Sequence, residues 1–452
     1  MNGVKLAIIG GAGLRAPLLA GAAMRRAGQL GLRELWLLDV DERKLEVFGG
    51  LAEHVVARSG TGVAVRSTTD ADRALDGADY VVTTIRAGGD RSRVLDERIA
   101  LRHGVLGQET TGAGGFAMAM RSTPVLLEYA ERLRRLSPDA WLLNFTNPAG
   151  LVAQGLSDAG FARVIGICDS ANLAQHAVAE QLALDPGLLR PEVFGLNHLS
   201  WTRRVVSTAG GDLLAPLLRD VDFVDGTKQR FFEPGLREQV GMWMNEYLYY
   251  WYYAERALAA IQGEERTRGE QVEALNAELL AELTPLIRTD PDAALERYAS
   301  YDERRHADYM HYADPGGNGR HLGENGDGYA GVALDVIEAL ATGGTPLHTA
   351  LNVPNGTAID GFAADDVVEV SCMVNADGVH PVPIGAIPDQ PAALMSAVKR
   401  YERLAARAIL ARSRRLAIDA LMAHPLVLSY SRAEGLVEDY LDAHSLRTQG
   451  WT

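Results

Sequence analysis

The sequence predicts an α/β fold: a doubly wound parallel sheet followed by a mixed α/β half. Three observations carry this reading. An apolar-rich run, Val4 to Ile9, enters Gly10-Gly11-Ala12-Gly13. A second run, Leu35-Trp36-Leu37-Leu38, ends on an acid, Asp39. Short apolar runs then alternate with helical stretches as far as Ile167, and repeated strand–helix units indicate a parallel sheet.

Taken in order, Val4 to Ile9 suits a strand buried on both faces. The glycines after it, continuing into Leu14-Arg15-Ala16-Pro17, let backbone N–H groups approach a pyrophosphate at a helix N-terminus. Ala16 stands at the last position of G-x-G-x-x-G, a permitted variant of this Rossmann-like turn. Asp39, at the end of the second strand, is placed to bind the ribose hydroxyls of NAD. The plainer alternative is a tight turn with Asp39 capping the next helix. Gly10, Gly11, Gly13 and Asp39 are thus candidate cofactor residues. Val63-Ala64-Val65 and Tyr80-Val81-Val82-Thr83 read as strands around a helical stretch from Asp72 to Leu75. Arg86 to Arg121 is long, polar, and rich in arginine and glycine. It reads as a substrate loop, although any single arginine there has the plainer role of an exposed ion-pair partner. Trp141 to Phe145 is a strand leading into Thr146-Asn147-Pro148.

Val164 to Ile167 is the next strand, and Cys168-Asp169 stands at its carboxyl end, where open α/β sheets bind ligands. Gly195-Leu196-Asn197-His198 follows a little later. Taken alone, the cysteine is a small buried hydrophobe and the histidine a hydrogen-bonded structural residue. If they meet, they make a thiol–imidazole pair suited to a divalent transition metal. After His198 the β/α rhythm weakens. Trp243 to Ile261 reads as helix, with too many aromatics for one face, so spacing cannot single out a catalytic tyrosine. Tyr301 to Gly328 reads as a long loop and Tyr329 to Leu340 as a helix. Val367 to Val374 is a strand in which Cys372 has no ligand spacing to a partner. Pro391 to His444 is mostly helical, amphipathic from Lys399 to Leu421, with a break at Pro425. The division expected is a dinucleotide-binding part, 1–194, and a C-terminal part, 195–452, that binds substrate and metal and mediates oligomerisation, packed as one unit.

Bulk properties narrow the function. A net charge of −15 over 452 residues excludes a basic field for nucleic acid or anionic membrane. An anionic substrate then needs locally placed arginines. Two cysteines exclude a disulfide scaffold and suit a reducing cytosol. The N-terminus runs straight into a strand, and no apolar run is long enough to span a bilayer. A soluble cytoplasmic protein without membrane or nucleic-acid partners is expected.

Together these residues resemble glycoside hydrolase family 4, the NAD- and metal-dependent glycosidases. The resemblance runs nearly end to end. It rests on Gly10-Gly11-Ala12-Gly13, Arg86-Ala87-Gly88-Gly89, Gly107-Gln108-Glu109-Thr110-Thr111-Gly112 and Asn144-Phe145-Thr146-Asn147-Pro148. It continues through Gly166-Ile167-Cys168-Asp169, Gly195-Leu196-Asn197-His198, Asn352-Val353-Pro354-Asn355 and His424-Pro425-Leu426-Val427. The last two motifs also look like its 6-phospho-β-glucosidase branch. The resemblance implies a fold akin to lactate and malate dehydrogenases and a mechanism outside the usual two-carboxylate scheme. NAD oxidises the sugar at C3, a base removes the acidified C2 proton, and a divalent metal, usually Mn²⁺, stabilises the resulting charge. The leaving group departs, water adds, and C3 is reduced again. It implies Cys168 and His198 as metal ligands, Asn144 beside the cofactor, and Asn147 on the sugar hydroxyls. It further implies Tyr247 as base, with Tyr249 or Tyr250 as alternatives, and Arg93 and Arg268 on the phosphate. A homodimer or homotetramer is expected. One departure stands out: Asp169 occupies a place where the β branch often carries Asn. An acid there is similar to the α-linked branch, so Asp169 is either a general acid or a hydrogen-bonding neighbour. The competing readings are a family member acting on α-linked or unphosphorylated glycosides, an NAD-dependent 2-hydroxyacid dehydrogenase, and a non-catalytic NAD sensor.

Overall fold

The computed structural model describes residues 3–307, 309–314, 322–323 and 328–452. Its centre is one sheet of twelve strands among the described residues. The first six are β1 (Val4–Ile9), β2 (Leu32–Leu38), β3 (Ala64–Thr68), β4 (Tyr80–Thr83), β5 (Trp141–Asn144) and β6 (Val164–Gly166). They lie in the order β3-β2-β1-β4-β5-β6, all parallel. This is the doubly wound order, and the direction of winding reverses between β1 and β4. The remaining strands are β7 (Leu189–Leu196), β8 (Leu199–Ser207), β9 (Trp243–Met244), β10 (Leu347–Pro354), β11 (Val367–Asn375) and β12 (Gly378–Pro381). They extend the sheet antiparallel as β6-β10-β11-β7-β8-β9, with β12 beside β11.

The apolar runs form these strands because both faces of the sheet are covered. Side chains alternate faces along a strand. Leu6 and Ile8 of β1 join Leu35, Leu37, Leu143 and Ile165 in one core. Ala7 and Ile9 join Leu38, Val81, Leu142 and Val164 in a second core on the opposite face. Each fully buried Ile or Leu contributes about 1.5–3 kcal/mol relative to exposure. No helix among the described residues is long and apolar enough to cross a membrane.

Several stretches differ from the sequence reading. Arg86 to Arg121 is not a loop: helix Gly89–Arg102 and the start of helix Ala113–Leu136 together fill most of it. Its polar residues face one another inside the protein, with Ser92, Arg93, Asp96 and Glu97 buried. Composition therefore mimicked a solvated segment. Trp243 to Ile261 breaks into β9, a 3-10 turn at Glu246–Leu248, and helices Tyr249–Tyr252 and Ala254–Gly263, which distributes its aromatics over several directions. Helix Pro291–Ala307 runs into the expected loop at Tyr301, and the rest of that expectation, at 308, 315–321 and 324–327, lies outside the described residues. The helix expected at Tyr329 is Gly328–Thr342. The amphipathic run from Lys399 divides at Arg412, which is left-handed, into helices Asp389–Ala411 and Arg414–Ala423.

The hairpin β7–β8 matters most for the site. Leu196 pairs with Leu199, so Asn197 and His198 form a two-residue turn. Such turns need positive φ, and His198 has φ +61°. At Gly195 a Cβ would lie 2.4 Å from the Ser200 Cα and from the Leu199 carbonyl oxygen, both backbone atoms that cannot yield. We expect Gly195→Ala to lower unfolding free energy by about 1–3 kcal/mol, the range for overpacking. The exposed, unhindered Gly28→Ala should instead raise it by about 0.4–1 kcal/mol. Urea unfolding of both variants checks this, and equal midpoints would show that the hairpin yields.

Candidate active site

A cleft of about 820 Å³ opens at the carboxyl ends of β1, β2, β4 and β5, where the winding reverses. Gly10, Gly13, Asp39, Asn147 and Arg86 line it. A Cβ on Gly10 would sit 2.8 Å from the Thr84 carbonyl oxygen, so only glycine lets β1 pass so close to the residue after β4. Asp39 accepts the Ala12 N–H at 3.0 Å and the Val40 and Asp41 N–H groups at 2.8 and 3.2 Å, which fixes the glycine turn to the end of β2. Two expected cofactor residues do not face the cleft. Gly11 packs on Leu37, whose Cβ would lie 2.7 Å from an added methyl group. Asn144 is wholly buried, and its amide is committed to Thr83, Thr146 and Ala149. Its neighbours Phe145 and Asn147 line the cleft instead.

Cys168 and Asp169 follow β6; the thiol is buried and the carboxyl half-buried. Ser170 Oγ donates to Glu246 Oε1 at 2.9 Å. Tyr247, the next residue, lays its ring flat on His198 with centroids 3.7 Å apart. Short links therefore run from the cysteine through Ser170 and Glu246 to the histidine. His198 Nδ1 is 2.9 Å from Thr110 Oγ1, on a loop held by Gln108. Glu369, in the middle of β11, accepts from Asn352 at 3.0 Å and from Asn197, beside His198, at 3.4 Å.

Burial, then Glu369 and Asp169, pushes the Cys168 thiol well above its ordinary range. Burial and Glu246 raise the Asp169 carboxyl. Burial acts to raise Glu246 as well, but Lys228, 3.4 Å away, and Ser170 outweigh it and hold Glu246 ionised. Burial lowers His198 to about 4 and raises Glu369 to about 7. Glu246 Oε2, Glu369 Oε2 and Asn352 Oδ1 are buried with no hydrogen-bond donor. Thiol, neutral imidazole and unpartnered oxygens make a set of acceptors that suits a divalent cation. No group of three or more His, Cys, Asp and Glu among the described residues is arranged to hold a metal ion by itself. A metal on Cys168 and His198 would therefore complete its coordination from outside the protein.

The expected phosphate arginines, Arg93 and Arg268, are not among the residues that line the cleft. Arg93, 5% exposed, is clamped by Glu97 at 2.7 Å and Glu109 at 2.9 Å. Arg86 holds Glu109 from the other side at 2.7 Å. These two arginines override burial and keep Glu109 far below the ordinary carboxylate range. Arg268 begins helix Arg268–Thr289 and donates to the Arg305 carbonyl. Glu97 also accepts the Gly269 N–H at 2.7 Å, so the structure brings Arg93 and Arg268 together. Tyr249 lies apart, against Tyr253 and Tyr312, and Tyr250 bonds Tyr312 at 2.5 Å. Tyr247 alone of the three candidates stacks on His198, and its hydroxyl accepts from Tyr309 at 2.5 Å. Glu246, Glu369, Asn352 and Tyr309 received no role from the sequence. For Glu369 a signal existed: a lone acid inside an apolar strand is rarely buried without a partner or a task.

A crevice at the switch point of a doubly wound sheet, walled by a glycine turn and by an acid at the end of β2, defines a dinucleotide-binding class of fold. The chain belongs to glycosyl hydrolase family 4. The models described as Family 4 glycosyl hydrolase and as its C-terminal domain match residues 5–184 and 193–427. A 6-phospho-beta-glucosidase of Escherichia coli (strain K12) is 31% identical, over 98% of this chain and 95% of that protein. A phospho-alpha-glucosidase of Clostridium acetobutylicum is 27% identical, over 98% of both. The structure of the 6-phospho-beta glucosidase of Thermotoga maritima with NAD and glucose-6-phosphate superposes with a TM-score of 0.83 at 27% identity, covering 97% of this chain and 98% of that one. A lactate dehydrogenase from a deep-sea metagenome matches at TM-score 0.52 and 14% identity, covering 90% of this chain and all of that one, which bears out the expected kinship of fold.

The burial of His198 has a consequence for the metal-free protein. The unfolded chain takes up a proton near pH 6.5, the folded chain only near 4. The unfolded state thus binds more protons in that window, and stability falls as pH drops from 6.5 to 4. His198→Gln should lose less stability across it, by a difference on the order of 3 kcal/mol. Urea unfolding at pH 7, 5.5 and 4.5 measures the difference, and parallel curves would mean that His198 is solvated.

Proposed function

We propose that the protein hydrolyses 6-phosphoglucosides, β-linked ones preferred, using NAD and a divalent metal such as Mn²⁺. The observation that carries this is Tyr247 stacked on His198 within a chamber of unpartnered buried acceptors. When bound, NAD supplies a reversible hydride acceptor for the sugar C3, and the metal a Lewis acid for the neighbouring oxygens. Cys168 and His198 hold the metal. Gly10, Gly13 and Asp39 hold the dinucleotide, within a part spanning 1–194, and residues 195–452 complete the substrate pocket. Asn147 orients the sugar hydroxyls from the cleft wall. Tyr247 removes the C2 proton, and the Tyr309 hydroxyl steadies the charge left on its oxygen. Arg93 and Arg268 form the wall at the phosphate end. The enzyme works in the cytoplasm as a homodimer or homotetramer.

A second reading, preference for the α anomer, is favoured by Asp169. Burial and Glu246 favour its protonated form, as a general acid for the leaving group requires.

Release of p-nitrophenol from both anomers of p-nitrophenyl glucoside 6-phosphate, with NAD and Mn²⁺ under reducing conditions, tests the proposal and selects between the anomers. No release from either anomer with cofactor and metal bound refutes it. Net NADH accumulation would point to a dehydrogenase instead. Cys168→Ser should abolish metal-dependent turnover while NAD affinity is kept, measured by calorimetry. Tyr247→Phe should lower kcat about 10²–10⁴-fold. Retention of more than half the activity in Tyr247→Phe would remove the tyrosine from its role.

A further inference from the structure

Five strands of the sheet carry one continuous row of paired residues. Gly166 of β6 pairs with Asn352 of β10, and Asn352 with Glu369 of β11. Glu369 pairs with Gly195 of β7, and Gly195 with Ser200 of β8. Residues directly opposite one another share a face of the sheet. The two glycines leave that face open at their places, and the polar side chains between them join through it. Asn352 Nδ2 donates to the Gly166 carbonyl at 3.4 Å and to Glu369 Oε1 at 3.0 Å. The Ser200 hydroxyl donates to Glu369 and accepts from Asn245 Nδ2 at 3.2 Å. Asn245 in turn caps the next turn, accepting the Tyr247 N–H at 3.0 Å. Asn197, beside His198, reaches the same Glu369 oxygen at 3.4 Å.

Glu369 therefore ties three segments together: the strand leading to Cys168 through Asn352, the turn of His198 through Asn197, and the turn of Tyr247 through Ser200 and Asn245. Bracing alone does not call for an acid. A neutral amide oxygen would accept the same hydrogen bonds, and a buried carboxylate is costly unless something compensates it. Glu369 is wholly buried, and among the described residues it has no ion-pair partner. Its Oε2 has no donor. Glu246, by contrast, has Lys228 at 3.4 Å. Of the charged groups around the Cys168 thiol, Glu369 acts on it most strongly. A cation held between that thiol and His198 is the compensation the carboxylate lacks.

We propose that Glu369 is a positioning residue for this centre: it fixes the Cys168 strand and the His198 and Tyr247 turns against one another, and its carboxylate strengthens the hold of Cys168 and His198 on a divalent cation. The inference rests on the reading of those two residues as the metal site. It adds a residue that touches neither metal nor sugar and acts through Asn352, Asn197 and Ser200. Groups that orient metal ligands from behind in this way typically set affinity by about 10–100-fold.

Calorimetric titration of the full chain with Mn²⁺ under reducing conditions tests this without turnover. Glu369→Gln keeps the shape and an acceptor oxygen but removes the charge. It should raise the Kd for Mn²⁺ about 10–100-fold, while NAD affinity is kept and the urea midpoint of the metal-free chain does not fall. Glu369→Asp, which keeps the charge with a shorter reach, should recover part of the loss. A residue that only braced the sheet would leave Mn²⁺ affinity unchanged in Glu369→Gln, and that result overturns the proposal. Ser200→Ala keeps the test decisive if Glu369→Gln fails to fold, because it removes one hydroxyl and frees the carboxylate on the Tyr247 side. It should raise the Kd about threefold or more, and an unchanged value overturns the proposal. Cys168→Ser separates the two readings. If it binds Mn²⁺ as tightly as the wild type, the metal-site reading fails and the inference with it. If it loses Mn²⁺ while Glu369→Gln does not, the inference alone fails.

Discussion

The parallel and antiparallel parts of the sheet meet through a join one residue pair wide, Asn352 against Gly166, and the surroundings of Cys168 are built on it. Asn352 donates to the Gly166 carbonyl and to Glu369, which reaches in turn to Asn197 at the hairpin turn. A Cβ on Gly166 would approach the Asn352 Cβ to 2.8 Å, so β6 and β10 come this close only over a glycine. Cys168 lies two residues beyond that contact. The register of the join and the position of the thiol therefore cannot vary separately. A change that widened the join would also release Glu369 and the turn that carries His198.

Charge is distributed in opposite ways at the two ends of the site. Around Cys168 the protein gathers acceptors: a thiol, a neutral imidazole, and carboxylate and amide oxygens without donors. Lys228 offsets only part of this, and its effect falls mainly on Glu246. Glu246 thereby stays ionised while its neighbour Asp169 is driven towards the protonated form, so two adjacent acids acquire different tasks from their surroundings. Along the other wall guanidinium groups dominate. Arg93 and Arg86 are neutralised by Glu97 and Glu109, which makes that part a rigid lattice. An acidic protein can receive an acidic ligand here because the local field, not the net charge, decides binding in an enclosed cleft.

Much of the architecture was legible in the chain. The strands β1, β2, β4, β5 and β6 are continuous apolar runs because both faces are buried, and that pattern survives in any short window of sequence. The glycine turn and Asp39 were legible for the same reason, since their geometry is set by residues a few positions apart. Helix Gly89–Arg102 was not. Its arginines and acids pair inside the fold at i, i+4 and across elements, and a buried ion-pair lattice has the composition of an exposed segment. The hairpin β7–β8 was also missed as a pair of strands, although its turn residues were noted.

What the sequence determined by itself is the parallel sheet, the glycine turn and the identity of the candidate thiol and imidazole, because these depend on short-range periodicity and on residue chemistry. Tertiary structure alone decided their company. Residues more than a hundred positions apart, Glu369 and Asn352 against Cys168, set the acceptor-rich field, and helix Pro291–Ala307 is tied to Leu14 of the glycine turn. It also chose Tyr247 over its neighbours, because which ring lies on His198 depends on a break in the backbone after β9 that no periodicity announces. Burial and convergence are properties of long-range packing, and no short window of sequence carries them.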